Sequence, residues 1–397
     1  MKSRFTISIF ILLILFIVGC TAPETGEEQE EKKDTPIVDT SVDTEGNTDS
    51  SSPSKSTENI SSLEQVQGDI RHVHYAGKGK VLISAERLYL YDLDTENILT
   101  EVSQESKENE RVWIIDNGYV VIQEMEDDSV SMIEWEPDYQ GVFYNEDLQQ
   151  EFDFDFNQLL EEDDFLMSLK QISFNHDGTN MAYATDSGLY LYDFELEKKT
   201  KVLDLASDNL AARSNLAALE QIGFINDGTQ IAFKAQTLPS QLDQPSYDTC
   251  GIVNIDGSNL SNHTFDNYTC KDLIAYNDWI LLAEDVTNAT GRLMVMEQKT
   301  EKTTIHTLTD KDESGIIAGS DEGAYFATFR SSNQDYIIRI YDTKTGELIE
   351  ELQNSVDEEA LLNQQPILKV VDDTRTIILL LGSKQEDIET KIIVNHF

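Results

Sequence analysis

The chain has 397 residues, 75 of them acidic and 29 basic, for a formal net charge of -46. A body this acidic is repelled by phosphate backbones and by anionic lipid headgroups, which excludes nucleic acid as a partner. Cationic partners, loosely held divalent ions and a saline habitat that screens the repulsion all remain compatible; Lys and Arg are scarce along the whole chain, which favours the habitat.

The first element is an apolar run. Lys2 and Arg4 precede residues 5–18, FTISIFILLILFIV, and the run closes at Gly19-Cys20. It is shorter than the roughly 20 residues of a membrane span, so residues 1–19 read as an export signal. The segment IVGC resembles the lipobox of bacterial lipoproteins, with Val18 where a small residue is usual. That resemblance implies a lipidated Cys20 as the mature N-terminus, anchored to the extracytoplasmic face of the cell membrane by more than one acyl chain. Residues 20–62 follow as a linker. Between Thr21 and Glu64 twelve acids face three bases, Lys32, Lys33 and Lys55, with few aliphatics between them. Such a stretch cannot bury enough surface to offset its ordering entropy and is expected to be a disordered, self-repelling tether.

Residues 63–397 are built from a recurring phrase. LYLYDLDTENILTEV from Leu88, LYLYDFELEKKTKVL from Leu189 and IIRIYDTKTGELIEEL from Ile337 each give an alternating apolar strand, an Asp-led turn and a second strand. Asp92, Asp193 and Asp342 recur at the turn, where a short carboxylate caps its own loop. Equivalent unit starts fall at Ile70, Val112, Ile172, Ile222, Leu273, Ile316 and Ile367, at intervals of 42 to 60 residues. Seven units of this length match the four-stranded antiparallel blades of an all-β, seven-bladed β-propeller. The last unit supplies three strands, ending in KIIVNHF, and a radial array leaves no exposed edge. The segment around Leu63–Gln67 is therefore expected to complete that blade and close the ring by pairing the N- and C-terminal strands.

Two stretches read as short helices inserted between blades. Leu205–Glu220 is rich in Ala and Leu, and Gln158–Lys170 is the second. Insertions after Gln123, Asp155, Leu205 and Gln236 are where the units differ most, and a local function belongs there. With Cys20 lipidated, Cys250 and Cys270 remain; an exported protein permits their disulfide, expected to close within one repeat.

The turns also carry a family resemblance. Phe174-Asn175-His176-Asp177-Gly178-Thr179 and Phe224-Ile225-Asn226-Asp227-Gly228-Thr229 resemble the TolB-like, WD40-like propeller motif, in which Pro-Asp-Gly joins the first two strands of a blade. Asp177-Gly178 and Asp227-Gly228 supply the left-handed position of such a turn; His176 and Asn226 stand where the family has Pro. Ile255-Asp256-Gly257-Ser258 resembles the family's turn between third and fourth strands. The resemblance implies the architecture; there is no room for the separate α/β domain of TolB itself.

No catalytic constellation emerges. A GxSxG nucleophile turn is absent, and carboxylates are too abundant for a glycosidase pair to be singled out. His72 and His74 alternate on one strand and share a face, as two zinc ligands would. Neither a Cys nor another His stands close by, so they read as core or surface histidines. The runs Glu124–Asp128 and Glu161–Asp164 lack the spaced ligands and Gly of a calcium loop. No cofactor or metal is expected. The reading is a membrane lipoprotein with a noncatalytic propeller that binds a protein, peptide or glycan of the cell envelope. The alternative is a propeller enzyme acting on a polysaccharide with a site built from loops of several blades.

Overall fold

The computed structural model describes residues 59–63, 65–107, 109–125, 138–161, 164–206, 215–237, 248–263, 268–275, 279–284, 291–297, 300, 302–311, 316–320, 322–332, 335–355, 366–381 and 391–397. The export signal, Cys20 and the acidic linker up to residue 58 lie outside them, as do most residues of the insertions after Gln123, Leu205 and Gln236. Among the described residues no helix is long and apolar enough to cross a membrane.

These residues form seven four-stranded antiparallel sheets. Sheet I holds β2 (His72–Tyr75), β3 (Lys80–Ser84), β4 (Arg87–Asp92) and β5 (Asn97–Glu105). Sheet II holds β6 (Glu110–Ile115), β7 (Gly118–Met125), β8 (Asp138–Asn145) and β9 (Gln150–Asp155). Sheet III holds β10 (Ile172–Phe174), β11 (Asn180–Ala184), β12 (Gly188–Asp193) and β13 (Lys198–Asp204); sheet IV holds β14 (Leu216–Ile225), β15 (Gln230–Thr237), β16 (Asp248–Asn254) and β17 (Ser261–His263). Sheet V holds β18 (Tyr268–Ala275), β19 (Trp279–Glu284), β20 (Arg292–Glu297) and β21 (Thr303–Thr307); sheet VI holds β22 (Ile317–Gly319), β23 (Tyr325–Ser332), β24 (Asp335–Asp342) and β25 (Leu348–Ser355). Sheet VII holds β26 (Ile367–Val371), β27 (Thr376–Leu381) and β28 (Lys391–His396), and its fourth strand is β1 (Asn59–Ser62).

That fourth strand corrects the sequence reading. The segment pairing with β28 is not Leu63–Gln67 but the four residues before it, with Asn59 opposite Val394 and Ser62 opposite Lys391. The polar sequence NISS hid the strand, because the ladder is made by backbone groups and needs little from the side chains. Leu63 instead buries its side chain between sheets VII and I.

The strand pattern explains the packing. Successive residues of a strand point to opposite faces, so each sheet feeds two interfaces. In β4, Tyr89 and Tyr91 join the cluster shared with sheet VII, while Leu88 and Leu90 join the one shared with sheet II. In β27, Ile377 and Leu379 pack towards sheet VI, and Ile378 and Leu380 towards sheet I. The other clusters follow the same order. Val120 and Phe143 meet Ile172 and Tyr183 between sheets II and III, and Leu189 meets Leu216 and Phe233 between III and IV. Ile225 and Cys250 meet Ile280 and Met294 between IV and V, and Leu293 and Val295 meet Phe326 and Tyr341 between V and VI. Each buried side chain of this size contributes about 1.5–3 kcal/mol.

Three further expectations are corrected. Residues 216–220 of the expected Leu205–Glu220 helix are the start of β14, and residues 207–214 lie outside the described residues. Two register shifts, between Leu216 and Ala218 and between Leu219 and Gln221, explain the misreading. Each inserts a residue, so Leu216, Leu219 and Ile222 share one buried face at every third position, and Ile225, buried on the other face, prolongs a spacing that imitates a helix. Gln158–Lys170 holds no α-helix among its described residues, only the ends of two 3₁₀ turns, Phe156–Leu159 and Leu169–Gln171. Cys250 is disulfide-bonded. It lies on β16 of sheet IV and Cys270 on β18 of sheet V, strands that pack together, so a bridge between these two would join successive sheets rather than close within one repeat.

Candidate functional site

A cavity of about 1530 Å³ opens where the first strands of several sheets meet. β2 contributes His72 and His74, β6 contributes Glu110, Arg111 and Val112, β14 contributes Gln221 and β26 contributes Lys369. Asn109, Glu124, Asp138 and Tyr139 add to sheet II's side, and the insertion after Asp155 forms a further wall, from Asn157 to Lys170 among its described residues, with Phe165 and Met167 49% and 55% exposed at the edge.

Strand alternation places the polar groups. Val73, 1% exposed, turns into the cluster between sheets VII and I, which sends His72 and His74 to the other face. Leu368 and Val370 pack between sheets VI and VII, which sends Lys369 into the cavity. Arg111 donates from Nη1 to the Leu169 carbonyl at 3.1 Å, and its guanidinium lies 5.2 Å from the Trp113 ring centroid. Protein surrounds these side chains on most sides. Burial therefore pulls the Arg111 guanidinium down to about 10. Burial, and then the Arg111 charge, lowers Lys369. Burial holds His74 well below the ordinary imidazole value, and the Lys369, His72 and Arg111 charges push the same way. His72 is also lowered by burial, with Glu110 opposing and Lys369, Arg71 and Arg111 assisting. The Nε2 of His74 is buried without a hydrogen-bond partner.

The carboxylates of the cavity are mostly committed to neighbours. Glu110 accepts from Ser84 Oγ and from the Lys107 N–H at 3.2 Å, with Arg71 at 3.8 Å. Arg71 is tied to the Ala85 carbonyl and to Ser106 Oγ. Glu124 accepts from Asn109 at 2.7 Å, Glu161 pairs with Lys199 at 2.6 Å, and Asp138 accepts from Asn157. Asp164 keeps one buried oxygen unpartnered. It lies on the side of Tyr183, whose hydroxyl is raised first by burial and further by Tyr190, Glu161 and Asp164. Among the described residues no group of three or more His, Cys, Asp or Glu side chains is placed to hold a metal ion.

The residues singled out in sequence fall mostly elsewhere. Asp177 caps its turn, accepting from the Thr179 N–H at 2.8 Å and from its hydroxyl at 2.6 Å, and Gly178 takes φ 73°. In the second turn Asn226, Asp227 and Gly228 all have positive φ. Asp92 and Asp342 each accept from the N–H and hydroxyl of the Thr three residues on, and Asp193 from the Leu196 N–H. None of these reaches the cavity. His72 and His74 do, whereas Arg111 and Lys369 carried no sequence signal beyond being isolated cations in apolar strands.

No protein-family model matches the chain, and no curated protein matches it. In structure it resembles the β-propeller domain of Cps50 (Swd1) from Myceliophteria thermophila, with a TM-score of 0.54 and 12% identity over 86% of this chain and 100% of that one. A second likeness is to the computationally designed Ika8 protein, with a TM-score of 0.47, 14% identity, and 85% and 98% of the two chains covered. The first likeness, together with the repeated four-stranded sheets, shows a WD40-like β-propeller fold.

Proposed function

We propose that the protein is an extracytoplasmic lipoprotein, anchored through Cys20, whose propeller binds a protein, peptide or glycan of the cell envelope without catalysis. In this reading the seven sheets are seven TolB-like blades of one closed ring, and the cavity lies on its axis. Support for the ring comes from the apolar clusters, which link the sheets in chain order and link sheet VII to sheet I, and from the pairing of β1 with β28. The observation that carries the function is the cavity itself. It is large, it is fed by four sheets and one insertion, and its carboxylates apart from Asp164 are held by static partners rather than paired across open space.

Cys20→Ser is expected to move the protein from the membrane fraction to the soluble fraction in its native host. The soluble Cys20→Ser chain is then expected to co-sediment with an insoluble cell-wall or envelope fraction, and Phe165→Ala/Met167→Ala to weaken this at least fivefold. Equal sedimentation of that variant, or loss of none of the wild-type chain to any fraction, overturns the binding reading. Release of reducing sugar from the fraction overturns the noncatalytic one and leaves Asp164 as the carboxylate to test.

A further inference from the structure

The geometry points to an oxyanion site on one wall of the cavity, in which Arg111, Lys369, His72 and His74 hold a carboxylate or phosphate group of the ligand. This rests on the cavity being the binding site, and on neither the lipid anchor nor the ring.

The first observation is one of missing counter-ions. Acids outnumber bases 75 to 29, and several other half-buried or buried cations find them: Arg87 meets Glu101, Lys234 meets Glu220 and Asp248, and Arg339 meets Asp310 and Glu351. Arg111 and Lys369 are enclosed by protein, and among the described residues neither has a carboxylate within ion-pair distance. They stand close enough for Arg111 to disfavour the charge on Lys369. Two enclosed like charges without a partner are costly to maintain in a fold. Glu110, a carboxylate of the same cavity, does not discharge that cost because Ser84, Lys107 and Arg71 already occupy it.

The second observation is independent of the charges. His74 Nε2 is shut off from water and unpartnered, although its ring lines the cavity. That nitrogen has an unmet bond but no exposed surface, so a ligand completes it once the ring turns towards the cavity it lines. An anion satisfies all of these groups together. Among the described residues only Nη1 of Arg111 is bound, to Leu169, which leaves the other guanidinium N–H groups to donate to a planar or tetrahedral oxyanion. Lys369 adds a point charge and the imidazoles add donors. A divalent metal is the wrong occupant: the two imidazoles are only two ligands, and Arg111 and Lys369 repel a dication.

The pH dependence has a definite sign. Both imidazoles are held low by burial; Arg111 from β6 and Lys369 from β26 act on both, and Glu110 from β6 and Arg71, the residue before β2, act on His72. Without an anion, protonation below about 6.5 occurs in the unfolded chain before the folded one, so stability falls as the pH drops. A bound anion favours the imidazolium, so binding takes up protons and tightens as the pH falls.

The test titrates the Cys20→Ser chain with inorganic phosphate, sodium glucuronate and neutral glucose at constant ionic strength in chloride, read by calorimetry and by thermal melting. Sulfate, a dianion throughout, serves for a series from pH 8 to pH 6. Saturable binding of phosphate or glucuronate over glucose is expected, at least tenfold weaker in Lys369→Met and in Arg111→Gln, with sulfate binding more tightly at pH 6. Preference for phosphate assigns a phosphate-bearing ligand, and preference for glucuronate a carboxylate-bearing one. Lys369→Met is also expected to melt no lower than the parent in chloride and to lose the rise in melting temperature given by phosphate. The inference is overturned if neither anion saturates, if Lys369→Met binds as the parent does, or if that variant unfolds in chloride because Lys369 is structural. Envelope binding that persists while anion binding fails leaves the proposed function standing and removes only this site.

Discussion

A single carboxylate at a turn shows how local the design of this fold is. Asp177 reaches no farther than Thr179, and its hydrogen bonds from the Thr179 hydroxyl and N–H hold its carboxyl below the usual range. Asp92 and Asp256 are lowered by the same kind of bond from Thr95 and Ser258. Replacing Asp177 by Ala is expected to cost about 1 kcal/mol, the net worth of a turn hydrogen bond. A depressed folded-state pKa means that this contribution is present above about 3.9 and is lost as the pH falls through the folded value. Urea unfolding of parent and Asp177→Ala should therefore differ at pH 7 and converge towards pH 2; an unchanged difference at acid pH would contradict the ionised role. Gly178 is constrained more tightly still, because a Cβ there would come within 2.7 Å of Ile115 Cδ1 from sheet II.

At the scale of elements, sheet VII is the place where distant parts of the sequence depend on one another. β28 lies between β27 and β1, so it is an interior strand although it is near the end of the chain. Ile392 faces the cluster with sheet I and Ile393 the cluster with sheet VI. Removing residues 390–397 is expected to abolish cooperative unfolding followed by tryptophan fluorescence, whereas removing residues 1–51, which lie outside the described residues, should leave the transition intact. A cooperative transition retained without β28 would refute this dependence. The sequence made the three strands of this sheet legible because each is an apolar run bounded by turn residues. It did not disclose β1, whose NISS has no apolar period, and it disguised β14, where two bulges convert a period of two into a period of three.

On the scale of the whole molecule, charge is the property that composition states and packing must tolerate. A net charge of -46 favours expansion, and self-repulsion weakens as salt shortens the Debye length from about 30 Å at 0.01 M to about 10 Å at 0.1 M. The melting temperature is expected to rise by a few degrees between 0.01 and 0.5 M sodium chloride; a flat profile would mean that the acids are already too dispersed to repel. Chloride also separates this general effect from the specific anion site, since only the latter should vanish in Lys369→Met.

By itself the sequence determined the units: alternating strands, Asp-capped turns and their spacing are set by interactions a few residues long, and a linear reading can follow them. The seven unit starts accordingly fall within the first strands of the seven sheets or one or two residues before them. The tertiary structure alone decided what the polar face of those first strands meets. In sequence Lys369 is a lysine between Leu368 and Val370, no different from one on a solvated face. Packing sheets VII, I and II beside one another encloses that face and brings Lys369, His72, His74 and Arg111 to one cavity. The reason is physical: enclosure and the loss of counter-ions are properties of how sheets are arranged, and residues from β2, β6 and β26 share no local pattern that could announce it.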